Sequence, residues 1–371
     1  MERGTNLLLA RFQLRQAFWL FVCSRFILNL VSNPFFNELH NRQDIIPSLL
    51  LGILIQLLYV IVFIVLWKQF PDVTLIEYCK SILGRWPGNV VGLLYIVYFV
   101  IQACFTVRVF GEFLKTRFLI QTPIEVIGIG IMVIVVYAIY MGLEVLARLA
   151  DILVPFIFGG MLLLAIFAFS EADWSNVKPT FETDLITMIK TMVPTATRWS
   201  ELAWLAMLYP FIEQKKEIKL AIFGGIIFVN AFFFIINVTV VGIFGQEMVS
   251  SLKFPTLEMV ESISIGSFLE RIDALVLGLW VFGAFLKIGM YYYVVVLGIS
   301  QWVGLRKEKV VIIPLGMIIL LFSLLMFSNI VELSNFSKII VPVDFIFTFV
   351  LPLLLLVIHL VKYKVRSVQQ I

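Results

Sequence analysis

Ten apolar stretches occupy residues 12–36, 45–67, 88–114, 122–141, 149–170, 185–211, 218–245, 272–303, 310–329 and 342–362, with only short charged connections between them. An α-helix rises about 1.5 Å per residue, so about 20 apolar residues cross hydrocarbon about 30 Å thick. With 61% hydrophobic and only 14% charged residues, a water-soluble fold has no interior large enough to hide this surface. The pattern predicts an all-α integral membrane protein of ten transmembrane helices. Its function must then lie in the few polar groups it keeps at depth. The longest connections, 171–184 and 246–271, are too short for a soluble domain. One polytopic membrane domain over 1–371 is expected, with no appended enzyme module. No small-residue cleavage site precedes the first stretch, so it reads as a retained helix.

The positive charges are unevenly placed. Sixteen fall in alternate connections: Arg3, Arg11, Arg15, Lys68, Lys80, Arg85, Arg148, Lys215, Lys216, Lys219, Arg306, Lys307, Lys309, Lys362, Lys364 and Arg366. Seven fall in the others: Arg42, Lys115, Arg117, Lys178, Lys253, Arg271 and Lys338. The positive-inside rule then places both termini in the cytoplasm, as an even number of spans requires. Dispersal over six connections argues against a nucleic-acid patch. Cys23, Cys79 and Cys104 show no metal-ligand spacing, and His40 and His359 lie near span ends. No disulfide, no metal site and no cofactor is expected, and a Ser/His/Asp hydrolase is excluded.

Ten spans divide into five plus five. Many secondary transporters are built from two such halves of inverted topology, and their substrate sites lie where helices are interrupted. This predicts a LeuT-like 5+5 inverted repeat over about 12–170 and 185–362, with helices 1 and 6 interrupted. Span one carries Cys23-Ser24-Arg25, then Asn33-Pro34. A charge such as Arg25 near mid-membrane is costly unless paired or wetted. Span six carries Pro194-Thr195-Ala-Thr197-Arg198-Trp199-Ser200-Glu201. Irregular backbone at that depth is tolerated beside a cavity or inside protein, and not against lipid. The candidate ligand-binding residues are therefore Cys23, Ser24, Arg25, Thr195, Thr197, Arg198, Ser200 and Glu201. Other readings stand beside this one: Arg198 and Glu201 as an internal ion pair, and Arg25 as partner of Glu201 or Glu112.

Lys287 falls in mid-span eight, too deep to snorkel. In sodium-coupled members of this architecture that helix helps to hold the ion. A fixed ammonium there either replaces sodium or pairs with a carbonyl or carboxylate. Arg108 and Glu112, one turn apart, read as a self-neutralising pair. Gly283 and Gly289 read as positions of close helix packing.

The chain also resembles a known group. Phe254-Pro255-Thr256-Leu257-Glu258 is followed by Ile263-Ser264-Ile265-Gly266-Ser267-Phe268-Leu269-Glu270-Arg271-Ile272-Asp273-Ala274 and runs on to Lys287-Ile288. Thr122-Pro123, Tyr140-Met-Gly142-Leu-Glu144 with Arg148, Ser200-Glu201, Tyr209-Pro210, Gln13 and Asp44 complete the set in order. These motifs are similar to those of the B subunits of spore germinant receptors, the GerAB-type membrane proteins of endospore-forming bacteria. That group belongs to the amino acid–polyamine–organocation transporter superfamily. The first helix departs from the family: Cys23-Ser24-Arg25-Phe26 stands where glycine is usual, and Asn33-Pro34 where Leu-Pro is. Glu270, Arg271 and Asp273 read as structural charges at the start of span eight, and Glu144–Arg148 as an ion pair four residues apart.

The resemblance implies a sensor subunit in the spore inner membrane that recognises a small nutrient, often an amino acid. It would act with A- and C-type receptor subunits, embedded in the lipid bilayer and without nucleic acid. A zwitterion suits a cavity with both charge signs: Arg25 or Arg198 meets the carboxylate, helped by the helix N-terminus near Ser200, and Glu201 meets the ammonium. The rival reading is an amino acid permease of the same superfamily, proton-coupled or uncoupled. A channel is the third, without a visible carboxylate ring to favour it.

Overall fold

The computed structural model describes residues 12–31, 45–177, 186, 188–189, 193, 196–249, 251–252, 254–263, 272–327 and 329–368. The described chain is helical, and its one β-type pairing is an isolated bridge between Phe12 and Ile212. The helices are α1 (Leu14–Val31), α2 (Ile45–Gln69), α3 (Leu75–Leu83), α4 (Arg85–Arg117), α5 (Ile124–Met141) and α6 (Leu143–Phe169). Then follow α7 (Ser200–Leu208), α8 (Ile218–Val249), α9 (Pro255–Glu261), α10 (Ile272–Val303), α11 (Lys309–Leu325), α12 (Ile330–Phe345) and α13 (Leu351–Val368). Among the described residues, seven helices have both the length and the apolarity to cross a bilayer. All ten expected stretches contain helix.

The centre of the bundle is α10. In an apolar 18-residue window of its Leu277–Val303 stretch 89% of the residues are buried, against 33–61% in the corresponding windows of the other long apolar helices. It packs on α1, α4, α5, α6, α7, α9 and α11. Glycine permits the closest of these approaches. A Cβ on Gly283 would stand 2.4 Å from Ile27 Cδ1 of α1, and one on Gly289 3.0 Å from Leu146 of α6. Helices that meet lipid instead carry an apolar stripe at helical spacing, as with Leu50, Leu54, Leu58 and Ile61 on α2.

Three features differ from the sequence reading. The last stretch begins at Ile330 rather than 342. Asn329 accepts N–H bonds from Val331 and Glu332, both 3.0 Å, and so caps the helix there. Glu332, Ser334, Asn335 and Lys338 make the first turns too polar for a hydropathy reading to detect. A π-helical turn, Ile346–Val350, joins α12 to α13 just after Pro342, whose missing N–H loosens the ladder. The short α3 is an amphipathic helix in a connection. The Glu77 carboxylate accepts the Thr74 N–H at 2.9 Å at its start.

The third correction concerns helix 1. Residues 14–31 are helical without a break through Cys23, Ser24 and Arg25. The stretch contains no Gly or Pro to unwind it, and Pro34 lies beyond the described part. The Arg25 guanidinium is accommodated from an intact helix: it lies over the Trp199 ring, 4.7 Å from its centroid. Phe21, one turn earlier, stacks on the same indole at 5.6 Å. Helix 6 is interrupted, as expected. Arg198 and Trp199 are non-helical, Trp199 having φ −113° and ψ 47°, and the helix restarts at Ser200.

Candidate functional site

The interruption before α7 places charged and hydroxyl groups against α1 and α10. Trp199 N–H bonds the Thr197 carbonyl at 3.0 Å and Leu202 N–H the Trp199 carbonyl at 3.0 Å, so the break is a tight turn. Thr197 Oγ1 donates back to the Val193 carbonyl at 2.8 Å, which ties its hydroxyl to its own segment. Ser200 and Tyr291 of α10 share a hydrogen bond of 2.5 Å between their hydroxyls.

Two ionic contacts organise the site. Lys287 Nζ of α10 donates to the Ser24 carbonyl of α1 at 2.5 Å and to Glu201 Oε1 of α7 at 2.7 Å. One ammonium thus ties three helices, with Lys287 3% and Glu201 1% exposed. Of the alternatives left open for this lysine, the geometry takes both the carbonyl and the carboxylate. Arg198 does not pair with Glu201. Its Nε lies 3.8 Å from Asp344 Oδ2 of α12, while its guanidinium carbon is 6.0 Å from the Phe105 ring centre.

Asp344 was not singled out from the sequence, yet it is buried and central. Its Oδ1 accepts Tyr98 OH at 2.7 Å and Gln102 Nε2 at 2.5 Å, both from α4. Its carbonyl accepts the Thr348 hydroxyl at 2.6 Å inside the π-helical turn. The signal was present. Tyr95, Tyr98, Gln102 and Thr106 recur at spacings of three and four, so α4 shows a polar face to whatever it packs on. A reading that started the last span at residue 342 put Asp344 at its edge; the longer helix puts it at depth.

Five buried ionisable side chains thus gather around the break: Arg25, Arg198 and Lys287, with Glu201 and Asp344. Counted as ions, they leave one positive charge in excess. Several of their polar atoms are also left open. Glu201 Oε2, Arg198 Nη1 and Ser24 Oγ are buried and have no hydrogen-bond partner among the described residues. Leaving such an atom unbonded costs about 1–3 kcal/mol, and more when it is charged. Ligand or water would meet that need.

The remaining candidates lie apart or outside. Cys23 is buried as a free thiol in α1, facing core. Thr195, Glu270 and Arg271 fall outside the described residues, as does the side chain of Asp273. Arg108 binds Glu112 Oε1 through Nε at 3.0 Å and Nη2 at 2.7 Å, and also reaches the Leu324 carbonyl at 3.3 Å. Glu112 therefore serves Arg108. Arg148 pairs with Glu144 on the surface. A contact missed from sequence explains part of the Phe254–Glu258 motif: Arg117 binds Glu258 at 2.8 Å and covers the Phe254 ring at 5.6 Å. This holds α9 to the end of α4. No group of three His, Cys, Asp or Glu suited to a metal occurs among the described residues.

The sequence model of the family described as "Spore germination protein" matches residues 47–331. The chain belongs to that family. It is 27% identical to spore germination protein KB of Bacillus subtilis (strain 168), over 96% of this chain and 97% of that one. Spore germination protein A2 of the same organism is 26% identical over 69% of this chain and 70% of its own. Among solved structures, MhsT in complex with L-phenylalanine superposes with a TM-score of 0.67 at 16% identity, covering 91% of this chain and 89% of MhsT. A sodium-coupled sialic acid symporter gives 0.62 at 13% identity, over 89% and 77% of the two chains. The fold is thus LeuT-like and shared with membrane transporters, and this family member is an integral membrane protein.

Proposed function

We infer that this chain is the membrane subunit of a nutrient germinant receptor and binds a small zwitterion, of the amino acid class, at the interrupted helix. The observation that carries the reading is the set of buried open atoms on Glu201, Arg198 and Ser24, next to a cluster with one excess positive charge. The zwitterion's carboxylate accepts from the Arg198 guanidinium beside the excess positive charge, while Glu201 Oε2 accepts from the ligand's ammonium. The Arg25–Trp199 stack forms one wall. Family membership supports spore germination as the setting; A- and C-type partner subunits and the spore inner membrane are inferred with it, and the uneven placement of the positive charges supports cytoplasmic termini. Occupancy acts by favouring one arrangement of α1, α7 and α10 over another, which requires that the ligand bind the two differently.

The test is germination of spores carrying Glu201→Gln, scored over a panel of single amino acids, with the subunit's amount measured in the same membranes. Loss of response at unchanged amount is expected; a normal response removes Glu201 from the site. The transporter fold keeps a second reading in play, a permease. Uptake of labelled amino acid into vesicles holding this chain alone would favour it.

A further inference from the structure

Away from the polar core, the end of α2 and the start of α8 enclose a cavity of about 350 Å³. Lys68, Lys215, Lys216 and Lys219 line it together with Trp67 and Tyr209. These lysines come from connections that sequence analysis assigned only a topological role. Their local pairing shows more. Lys215 is neutralised, since its ammonium donates to Asp72 Oδ1 and to the Pro71 carbonyl, both at 2.8 Å. Lys68, Lys216 and Lys219 have no ion-pair partner among the described residues, and the Lys68 and Lys219 side chains lie in contact with each other. Two ammonium groups brought together repel, and a shared anion reverses the sign of that interaction.

A second observation points the same way. The Trp67 indole N–H is buried and has no hydrogen-bond partner among the described residues. Trp67 stacks on Tyr209 at 5.1 Å and 12°, so the two rings form one rigid wall of the cavity. The surroundings are interfacial. Ile64 completes the wall toward the apolar zone, and Leu220, beside Lys219, is 77% exposed. Lysines at the rim with aromatic and aliphatic groups beneath match an anionic headgroup whose chains continue into the bilayer.

We propose that this cavity is a phosphate site, occupied by the headgroup of an anionic phospholipid. The phosphate bridges Lys68 and Lys219 and accepts from the Trp67 indole, and Lys216 adds charge from the rim. Bound there, the lipid clamps the end of α2 to the start of α8. The site is independent of the nutrient reading: it lies at the end of the bundle and uses none of the core residues.

The full chain, purified in detergent, would be offered phosphatidylglycerol and phosphatidylcholine of identical chains and examined by native mass spectrometry. In a second arm, inorganic phosphate would be titrated while the thermal midpoint is followed. The wild-type chain should retain phosphatidylglycerol, and Lys68→Gln/Lys219→Gln should bind it about thirty-fold more weakly, about fivefold per lysine. Trp67→Phe keeps the ring and removes the donor, and should also weaken binding. It serves as the readout if the double variant does not fold. Stabilisation by inorganic phosphate without lipid preference would keep the phosphate site and replace the lipid by a soluble source. Equal phosphatidylglycerol retention by wild type and variants, with no effect of phosphate, overturns the proposal. So does an equal loss in Lys307→Gln/Lys309→Gln, which would mean diffuse attraction to a basic face.

Discussion

Removing the Lys287 ammonium should expose how much of the bundle's stability depends on one buried ion pair. Lys287→Met leaves Glu201, 1% exposed, without its cation and the Ser24 carbonyl without its donor. Breaking a buried pair from one side typically costs about 3–5 kcal/mol, because an uncompensated charge stays behind. Glu201→Met strands the ammonium and should cost a similar amount. Replacing both with apolar groups of similar volume removes the stranded charges, and such replacements are commonly neutral or mildly stabilising. The double variant should therefore be more stable than either single one, with a coupling of at least about 2 kcal/mol. Unfolding by dodecyl sulfate titration in mixed micelles, run on all four proteins, gives the cycle. Single-variant losses that add to within about 0.5 kcal/mol would refute the view that these two groups act as one element.

Three further outcomes follow from other parts of the molecule. Gly283→Ala sets a methyl 2.4 Å from Ile27 Cδ1, so the Ile27 side chain must shift; a loss of about 1–3 kcal/mol is expected in the same titration, largely relieved by Ile27→Ala. Because the Lys287 ammonium already occupies carbonyl and carboxylate oxygens of the kind that would hold a metal cation, nutrient response should be unchanged when sodium is replaced by potassium, and a strict sodium requirement would contradict this. Burial raises the Glu308 carboxyl above its ordinary range, so the folded protein binds that proton more tightly than the unfolded chain. Its contribution is most favourable below the unfolded value, about 4.3, and is lost as pH rises through the folded one. Glu308→Gln should therefore raise the thermal midpoint at pH 7–8 and leave it nearly unchanged near pH 4.

The helical membrane architecture was legible because hydropathy over 20 residues is a sum, insensitive to single exceptions. Local decisions were harder. At helix 6, Arg198, Ser200 and Glu201 closely following Pro194 marked an interruption, and the backbone is broken at Arg198 and Trp199. At helix 1, Cys23-Ser24-Arg25 with Asn33-Pro34 suggested the same, but the ring that covers Arg25, Trp199, lies 174 positions away and is invisible to local pattern. Glu201 was visible as a buried acid, yet its choice of Lys287 over Arg198 depends on which helices face each other. Asp344 was missed for a different reason: the polar first turns of α12 shifted the apparent start of the span. Helix periodicity on α4 held the information, since Tyr98 and Gln102 needed an acceptor at that depth.

These contacts also constrain how a ligand signal could arise. Lys287 joins α1, α7 and α10 through two short hydrogen bonds, and Arg198 holds Asp344 only loosely at 3.8 Å. The two pairs are therefore unequal: one fixes the three helices, and the other is long enough to be exchanged. A ligand carboxylate that draws Arg198 from Asp344 would leave the acid held by Tyr98 and Gln102, so α4 and α12 stay in place while the segment before α7 is re-aimed. Only the difference in affinity between the two arrangements shifts their populations, and a 100-fold preference gives about 2.7 kcal/mol. That is about the size of one charged hydrogen bond, about 1.5–3 kcal/mol. Exchange at Arg198 alone is thus sufficient to bias the bundle. Asp344→Asn, which weakens the hold on Arg198 without touching Lys287, should lower the nutrient concentration giving half-maximal germination, and an increase would place the switch elsewhere.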